Sequence, residues 1–389
     1  MHFYTILDLN YNIISLIDIL GVIQGVILGS LLLFVHQSKR KSTLFLGLFI
    51  LAYSLEFIPS ILTDIKLVEY YPQLTYLPFD FIWLMFPLFY KYVRHISVFP
   101  EKSNYIYLYP GILSFIFQLI IFFFPLEIQT TIYESIPYLL FSLLGILYSI
   151  WIAIKTVQWI NLHIGEVHNQ FSKTEKRELQ WAKLFVIIGL LFIISSIFAA
   201  FFKESFWVAL LFSLVNVALL YWVSLRGILQ KNISPLFQNV VSSSTTITAT
   251  SQLSNNKKTS NFTPEKGEVQ EKESLEKQEL LVKKVTDYII LNKLYIKEDL
   301  TIVEVAKAVK KHPKTVSSAI NKVRNVNFNT YINTFRIEKA KELLLSPIAQ
   351  NLSIEGISNE VGFNSKSAFY AAFKKIVGTT PTLYQKQNS

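Results

Sequence analysis

"EVGFNSKSAFYAAFKKIVGTTP", Glu360–Pro381, decides how the C-terminal part of this chain is read. Gly362 supplies a turn, Asn364 or Ser365 caps the helix that follows, and Gly378 and Pro381 end it. Phe369 and Phe373 lie four apart and so share one face, while Lys374 and Lys375 make the end basic. The same device stands earlier, in "DLTIVEVAKAVKKHPKTVSSAINKV", Asp299–Val323. There Thr301 caps a first helix with Glu304 three residues on. Ile302, Val305 and Ala306 face inward, and a turn falls around Lys310–Lys311. Pro313 opens a second helix that points Val316 and Ile320 to the core. In the later copy Ser353 caps the first helix, and Ile354 and Ile357 face inward. Between the copies "NTYINTFRIEKAKELLLSP", Asn329–Pro347, reads as one amphipathic helix with Tyr331, Ile332, Phe335, Ala340 and Leu344 on its apolar side. Two helix-turn-helix units on one rigid helix hold two recognition helices at a fixed separation. Successive major grooves on one face of B-DNA are about 34 Å apart, so a single domain of this kind can address two of them.

Charge agrees with that reading. Residues 279–389 hold 17 Lys and Arg against 9 Asp and Glu, a difference of +8 within a whole-chain net charge of +10. A nucleic-acid surface has this footprint.

The rest of the chain has a different solvent. Of 389 residues 51% are hydrophobic and only 16% charged, against about 25% charged in an ordinary globular chain. Seven apolar runs are candidate membrane spans, at roughly 12–35, 43–62, 75–92, 105–125, 136–156, 183–202 and 206–225. The third is the weakest, since it carries Pro78, Asp80 and Pro87. Lys39, Arg40 and Lys41 follow the first run. Lys91, Arg94 and Lys102 close or follow the third, Lys155, Lys173, Lys176 and Arg177 the fifth, and Arg226 and Lys231 the seventh. The alternate loops are poor in cations. By the positive-inside rule the N-terminus is then outside and everything after residue 225 cytoplasmic, in a multi-pass protein of the cytoplasmic (inner) membrane. The first ten residues hold no Lys or Arg, which argues against a cleavable signal peptide.

Several polar features in the apolar half invite a functional reading. Gly21, Gly25 and Gly29 share a face of the first run, as a packing face inside the bundle or as a homodimer face. Asp18 and Asp80 are either interfacial or structurally paired, or part of a ligand or signal site. His163 and His168 are five apart, so they do not share a helix face, and with Glu166 between them they read as a solvated cytoplasmic loop rather than a metal site. No metal or cofactor is expected. The absence of cysteine excludes disulfides and thiolate chemistry, and no HExxH, P-loop or G-x-S-x-G pattern stands in the sequence, so no catalytic residue is expected.

Residues 228–270 are rich in Ser, Thr and Asn without apolar periodicity and read as a flexible linker, with a reach of roughly 35 Å for about 40 residues. From about Val269 a charged helix begins, with Leu275, Val282, Val285 and Ile289 at helical spacing. It either packs on the domain behind it or dimerises.

With Gly362-Phe363, Phe369, Phe373-Lys374-Lys375, Gly378, Thr380-Pro381 and Tyr384, and with Arg336 and Ala340 on the joining helix, residues from about 280 to the end resemble the AraC-type DNA-binding domain. The layout as a whole is similar to the membrane-linked members of that family. The resemblance implies an all-α fold of three parts: a seven-helix transmembrane sensor domain (1–227), a disordered linker (228–270) and a DNA-binding domain with two helix-turn-helix units (271–389). It implies a membrane-bound, sequence-specific transcription regulator. Its partners would be double-stranded DNA, the lipid bilayer, a small-molecule or membrane signal, and a second copy of the chain. By the same resemblance, Lys314, Thr315, Ser317, Ser318 and Asn321 of the first recognition helix, and Ser365, Lys366, Ser367 and Tyr370 of the second, face the bases. Lys310, Lys311, Lys374 and Lys375 suit phosphates. Four departures stand out. Lys310 occupies a position where the family usually has Gly, so a different turn is expected, since a left-handed lysine costs roughly 1 kcal/mol. Asn325 takes another Gly position that Asn tolerates. Ala371 stands where an Arg is common, which shifts readout onto Lys366 and Tyr370 or makes the second unit less selective. Gln385 likewise replaces a frequent Arg. The alternative is a transporter or membrane enzyme with a regulatory helical tail.

Overall fold

Long apolar runs become helices here because helix formation satisfies their backbone groups internally, and they break where proline stands. In the computed structural model, described for residues 11–34, 41–99, 104–175, 177–199, 205–230, 265–347 and 352–388, the elements are helices and one isolated bridge. The chain forms two units, one of residues 1–163 and 179–234, the other of residues 164–178 and 235–389. Most of the 228–270 stretch read as a linker lies outside the described residues, and its last six residues belong to a helix.

The first unit contains α1 (Ile13–Phe34), α2 (Lys41–Leu55), α3 (Phe57–Asp64), the single turn α4 (Leu67–Tyr70), α5 (Met85–Ile96), α6 (Tyr109–Phe122), α7 (Leu126–Tyr133), most of α8 (Ile136–Gln170), α9 (Gln180–Ala199) and α10 (Phe206–Leu229). Four helical stretches among the described residues, 13–34, 42–64, 136–170 and 206–229, are long and apolar enough to cross a membrane. Those at 106–122 and 180–195 are shorter. The expected third span is not one helix. Residues 72–76 form a 3-10 turn, Pro78 holds Leu77 extended at ψ 142°, and α5 begins only at Met85. Its 12 residues rise about 18 Å, well short of a hydrocarbon core of roughly 30 Å.

The small-residue face of α1 is filled by the chain itself. A Cβ on Gly25 would lie 2.3 Å from Ser54 Cβ, one on Gly29 2.6 Å from Leu51 Cγ, and one on Gly21 2.9 Å from Val217. The face is therefore bundle packing and not a homodimer surface. Asp18 is buried and accepts a hydrogen bond from the Ser213 hydroxyl, so it is structurally paired. His163 corrects the solvated-loop reading: it lies inside α8, fully buried, and its Nδ1 accepts from the Val98 N–H at 3.1 Å. A cavity of about 640 Å³ opens between α2, α3, the 75–86 stretch, α9 and α10. Glu56 and Asp80 reach its wall beside Tyr53, Tyr76, Tyr133 and Tyr138, and its lining holds no Lys, Arg or His.

The second unit contains α11 (Glu265–Leu291), α12 (Ile302–Ala308), α13 (Pro313–Arg324), α14 (Phe328–Leu345), α15 (Ile354–Glu360), α16 (Lys366–Val377) and α17 (Pro381–Asn388). Val282, Val285 and Ile289 of α11 are buried against α12 and α13, whereas Leu275 is exposed. That places the helix's apolar stripe on the domain behind it, as the first of the two sequence readings has it.

Candidate nucleic-acid interface

Each helix-turn-helix unit has its own core, and α14 carries both. Phe328, Tyr331 and Ile332 near its start join Val305, Val316 and Ile320 in one cluster. Ile337, Ala340 and Leu344 further on join Ile357, Phe363, Phe369 and Phe373 in the other. Fully burying a side chain of this kind stabilises by about 1.5–3 kcal/mol, which makes the helix a rigid spacer between two packed bodies.

The helix starts are fixed by side chains named in the sequence. Thr301 Oγ1 accepts from Glu304 N at 3.3 Å, Ser353 Oγ from Gly356 N at 3.0 Å, and Ser365 Oγ from Ala368 N at 3.2 Å. Ser365, not Asn364, is therefore the cap of the second recognition helix. Two caps went unread: the ring Nδ1 of His312 accepts from Lys314 N at 3.2 Å, and Asn327 Oδ1 from Thr330 N at 2.9 Å.

The two turns share one pattern. Lys310 has φ 52° and Gly362 φ 91°. The next amide reaches back in each, Lys311 N to Ala306 O at 2.9 Å and Phe363 N to Ser358 O at 3.0 Å. The expectation of a different first turn is thus corrected: the lysine adopts the left-handed conformation. Asn325 does so too, at φ 53°, as the C-cap of α13.

Arg336 sits at the seam of the two cores and is 2% exposed. Its Nε donates to Tyr295 O at 2.7 Å and its Nη2 to Lys297 O at 2.8 Å. The guanidinium lies 5.3 Å from the centre of the Phe363 ring. Burial, partly offset by Glu298 and Asp299, pulls it down to about 10, so it stays charged at neutral pH. One planar group with several donors ties the 293–298 turn, the joining helix and the second turn together, a geometry that a lysine cannot reproduce. Nothing in the sequence marks this burial, since a single charged residue on an amphipathic helix is ordinarily exposed.

On the outer faces, Lys310, Lys311, Lys314, Thr315, Ser318, Lys366, Ser367, Lys374 and Lys375 are exposed, and Ser317, Asn321, Ser365 and Tyr370 are half-buried. Lys366 Nζ stands 5.8 Å from the Tyr370 ring centre, and the Tyr370 hydroxyl pairs with that of Thr382 at 3.1 Å. Lys375 Nζ donates to Thr330 Oγ1 at 3.4 Å, which turns it toward α14. Ala371 leaves an exposed gap between these side chains. Lysines flanking small polar groups at the start of a helix suit a phosphate backbone and base edges.

Residues 305–387 match a family model described as a helix-turn-helix domain. Over 93 residues, 24% of this chain and 30% of the relative, the sequence is 30% identical to the regulatory protein PocR of Salmonella typhimurium. Over 87 residues, 22% of this chain and 28% of the relative, it is 34% identical to the melibiose operon regulatory protein of Escherichia coli K12. Among solved structures, the C-terminal domain of AraT, a response regulator from Geobacillus stearothermophilus, is 32% identical, with a TM-score of 0.25 over 28% of this chain and 84% of that one. The chain thus spans less than a third of the length of these two curated relatives, and the matched part is its C-terminal domain. That domain is of the helix-turn-helix type found in transcription regulators.

Proposed function

We propose that this chain is a membrane-embedded transcription regulator of the AraC type. Its apolar helices lie in the cytoplasmic membrane with the N-terminus outside, and its C-terminal domain binds promoter DNA in the cytoplasm. The observation that carries the reading is the pair α13 and α16, mounted on α14 and flanked by exposed Lys310, Lys311, Lys314, Lys366 and Lys374. Lys314, Thr315, Ser317, Ser318 and Asn321 read one groove. Ser365, Lys366, Ser367 and Tyr370 read the next, with Lys310, Lys311, Lys374 and Lys375 on phosphates.

The signal enters the 640 Å³ cavity of the first unit. Two carboxylates among aromatic rings, with no basic side chain in the lining, favour a small ligand that carries a cationic amine on an apolar body. Glu56 Oε1 accepts from Phe81 N at 3.1 Å and Asp80 Oδ1 from Ile82 N at 3.0 Å, which holds both groups at the wall.

The test is duplex binding by the full chain in lipid nanodiscs across a salt series, with transcript profiling of a deletion strain to find the regulated genes. Affinity should fall with salt at a slope of about −0.9 per phosphate contacted. Absence of duplex binding at low salt would end the reading.

A further inference from the structure

The second unit includes a piece of chain from far outside the DNA-binding domain. Residues 164–178, the end of α8 and the stretch that leads on to α9, fold with it. Phe171 forms an antiparallel bridge with Thr301, and Ser172 N donates to Leu300 O at 3.0 Å. Ser172 Oγ donates to Glu298 O at 3.0 Å and accepts from Arg336 Nη2 at 3.3 Å, while Asn329 Nδ2 donates to Ser172 O at 2.8 Å. Lys173 pairs with Glu298 and Arg177 with Asp299. Phe171, Ser172 and Arg177 are buried.

The segment is anchored on the frame, and its free polar groups reach both recognition helices. Asn169 meets the first: its backbone carbonyl accepts from Ser317 Oγ at 3.4 Å and its Oδ1 from Asn321 Nδ2 at 3.2 Å. Glu175 meets the second: its carboxylate accepts from Asn364 Nδ2 at 2.8 Å and Ser365 Oγ at 2.5 Å. The carboxylate thus occupies the Ser365 hydroxyl, one of the groups proposed to face bases. Between these contacts, Ser172–Glu175 and the Ser367, Ala371 and Lys375 side enclose a cavity of about 400 Å³.

We infer that residues 164–178 are an intramolecular occupant of the DNA-reading face, so that this segment and duplex DNA exclude one another. The inference rests on the proposed DNA binding, because it assigns the segment to the same side chains. Three of the groups proposed to face bases, Ser317, Asn321 and Ser365, hydrogen-bond to the segment instead. The contact is also built to be displaced. Asn321 Oδ1 is buried without a hydrogen-bond partner, and a base edge that supplied a donor would satisfy it. Whatever moves the 164–178 segment then frees both recognition helices at once.

A disulfide tests this directly, since the chain has no cysteine of its own. Antiparallel bridge partners lie about 4.5–5.5 Å apart, within the roughly 4.4–6.8 Å that a disulfide spans. The double variant Phe171→Cys with Thr301→Cys, as full chain in nanodiscs, should lock the segment in place when oxidised and release it when reduced. The probe is a pool of duplexes of random sequence, about 40 base pairs long. Oxidised protein should bind at least about tenfold more weakly than the same sample after reduction, since the binding-competent fraction sets the apparent affinity. Its ionised groups are otherwise the same in both states. In the otherwise native chain Asn169→Ala with Glu175→Ala should bind about tenfold more tightly, having lost two hydrogen bonds to a carboxylate. Equal binding by oxidised and reduced forms, or by the alanine variant and the native chain, overturns the inference and leaves DNA binding standing. If no form binds duplex, the DNA-binding reading itself has failed and the inference falls with it.

Discussion

At the first helix-turn-helix turn Lys310 stands at φ 52°, and at the second Gly362 stands at φ 91°. The amide that follows closes the same bond in each, at 2.9 Å and 3.0 Å. Yet one position carries a side chain and the other cannot. Lys310 is exposed, whereas a Cβ on Gly362 would lie 2.4 Å from Ile296 O and 2.8 Å from its carbonyl carbon. The left-handed conformation is therefore common to both units, but the need for glycine is not. Glycine is required where the second turn is pressed against the 293–298 turn, beside Arg336. The joint between the two helix-turn-helix units lies at this contact, and it can be attacked from either side.

The largest effect is expected from Gly362→Ala. The new methyl meets backbone on one side and sits at a φ that disfavours it, and neither relaxes without moving the joint. A loss of upward of about 3 kcal/mol follows. All six tryptophans precede residue 230, so intrinsic Trp fluorescence reports the wrong unit. Amide hydrogen exchange in α16 is the measurement, and protection there should drop about a hundredfold or more. Arg336→Met comes next. It strands the carbonyls of Tyr295 and Lys297 beside a seam that packs on both cores, at about 2–3 kcal/mol. Unlike Gly362→Ala, it should raise exchange in α13 and α16 together.

Ala371→Arg sharpens the comparison on the DNA side. It fills the gap in the second recognition helix with a fork able to bind guanine bidentately, and should add about 1–3 kcal/mol of discrimination at one base pair. Selection from random duplexes would show a new guanine in the second half-site and no change in the first. Lys374→Ala should instead weaken all duplexes alike and reduce the salt slope by about 1.

Much of the second unit was legible because its signals are local. Caps at Thr301, Ser353 and Ser365 and the buried Phe369 and Phe373 follow from residue type and spacing. The left-handed Lys310 was not, because local preference opposes it and the packing of two helices overrides that preference. Nor was the 164–178 segment, whose partners lie more than a hundred residues away and whose polar composition reads equally well as a solvated loop. In the first unit, four of the seven expected spans are helices long and apolar enough to cross a membrane among the described residues, and the third is broken at Pro78, between the 72–76 turn and Met85. His163 was misread because α8 runs on to Gln170, well past its apolar stretch.

The smallest effect isolates the conformational half of the comparison. Lys310→Gly removes a left-handed penalty of about 1 kcal/mol, but it frees the unfolded chain by a similar amount. The net change in α13 exchange should stay within about 0.5 kcal/mol, in contrast with the reverse exchange of residue type at Gly362. The same substitution deletes a proposed phosphate contact, so the salt slope should still fall by about 1. Lys310→Asn separates the two effects: Asn tolerates the left-handed region, so stability should hold while the slope falls equally. A large loss of stability in Lys310→Gly would mean that the lysine supports the turn through its side chain, and the two turns would then differ in more than what approaches them.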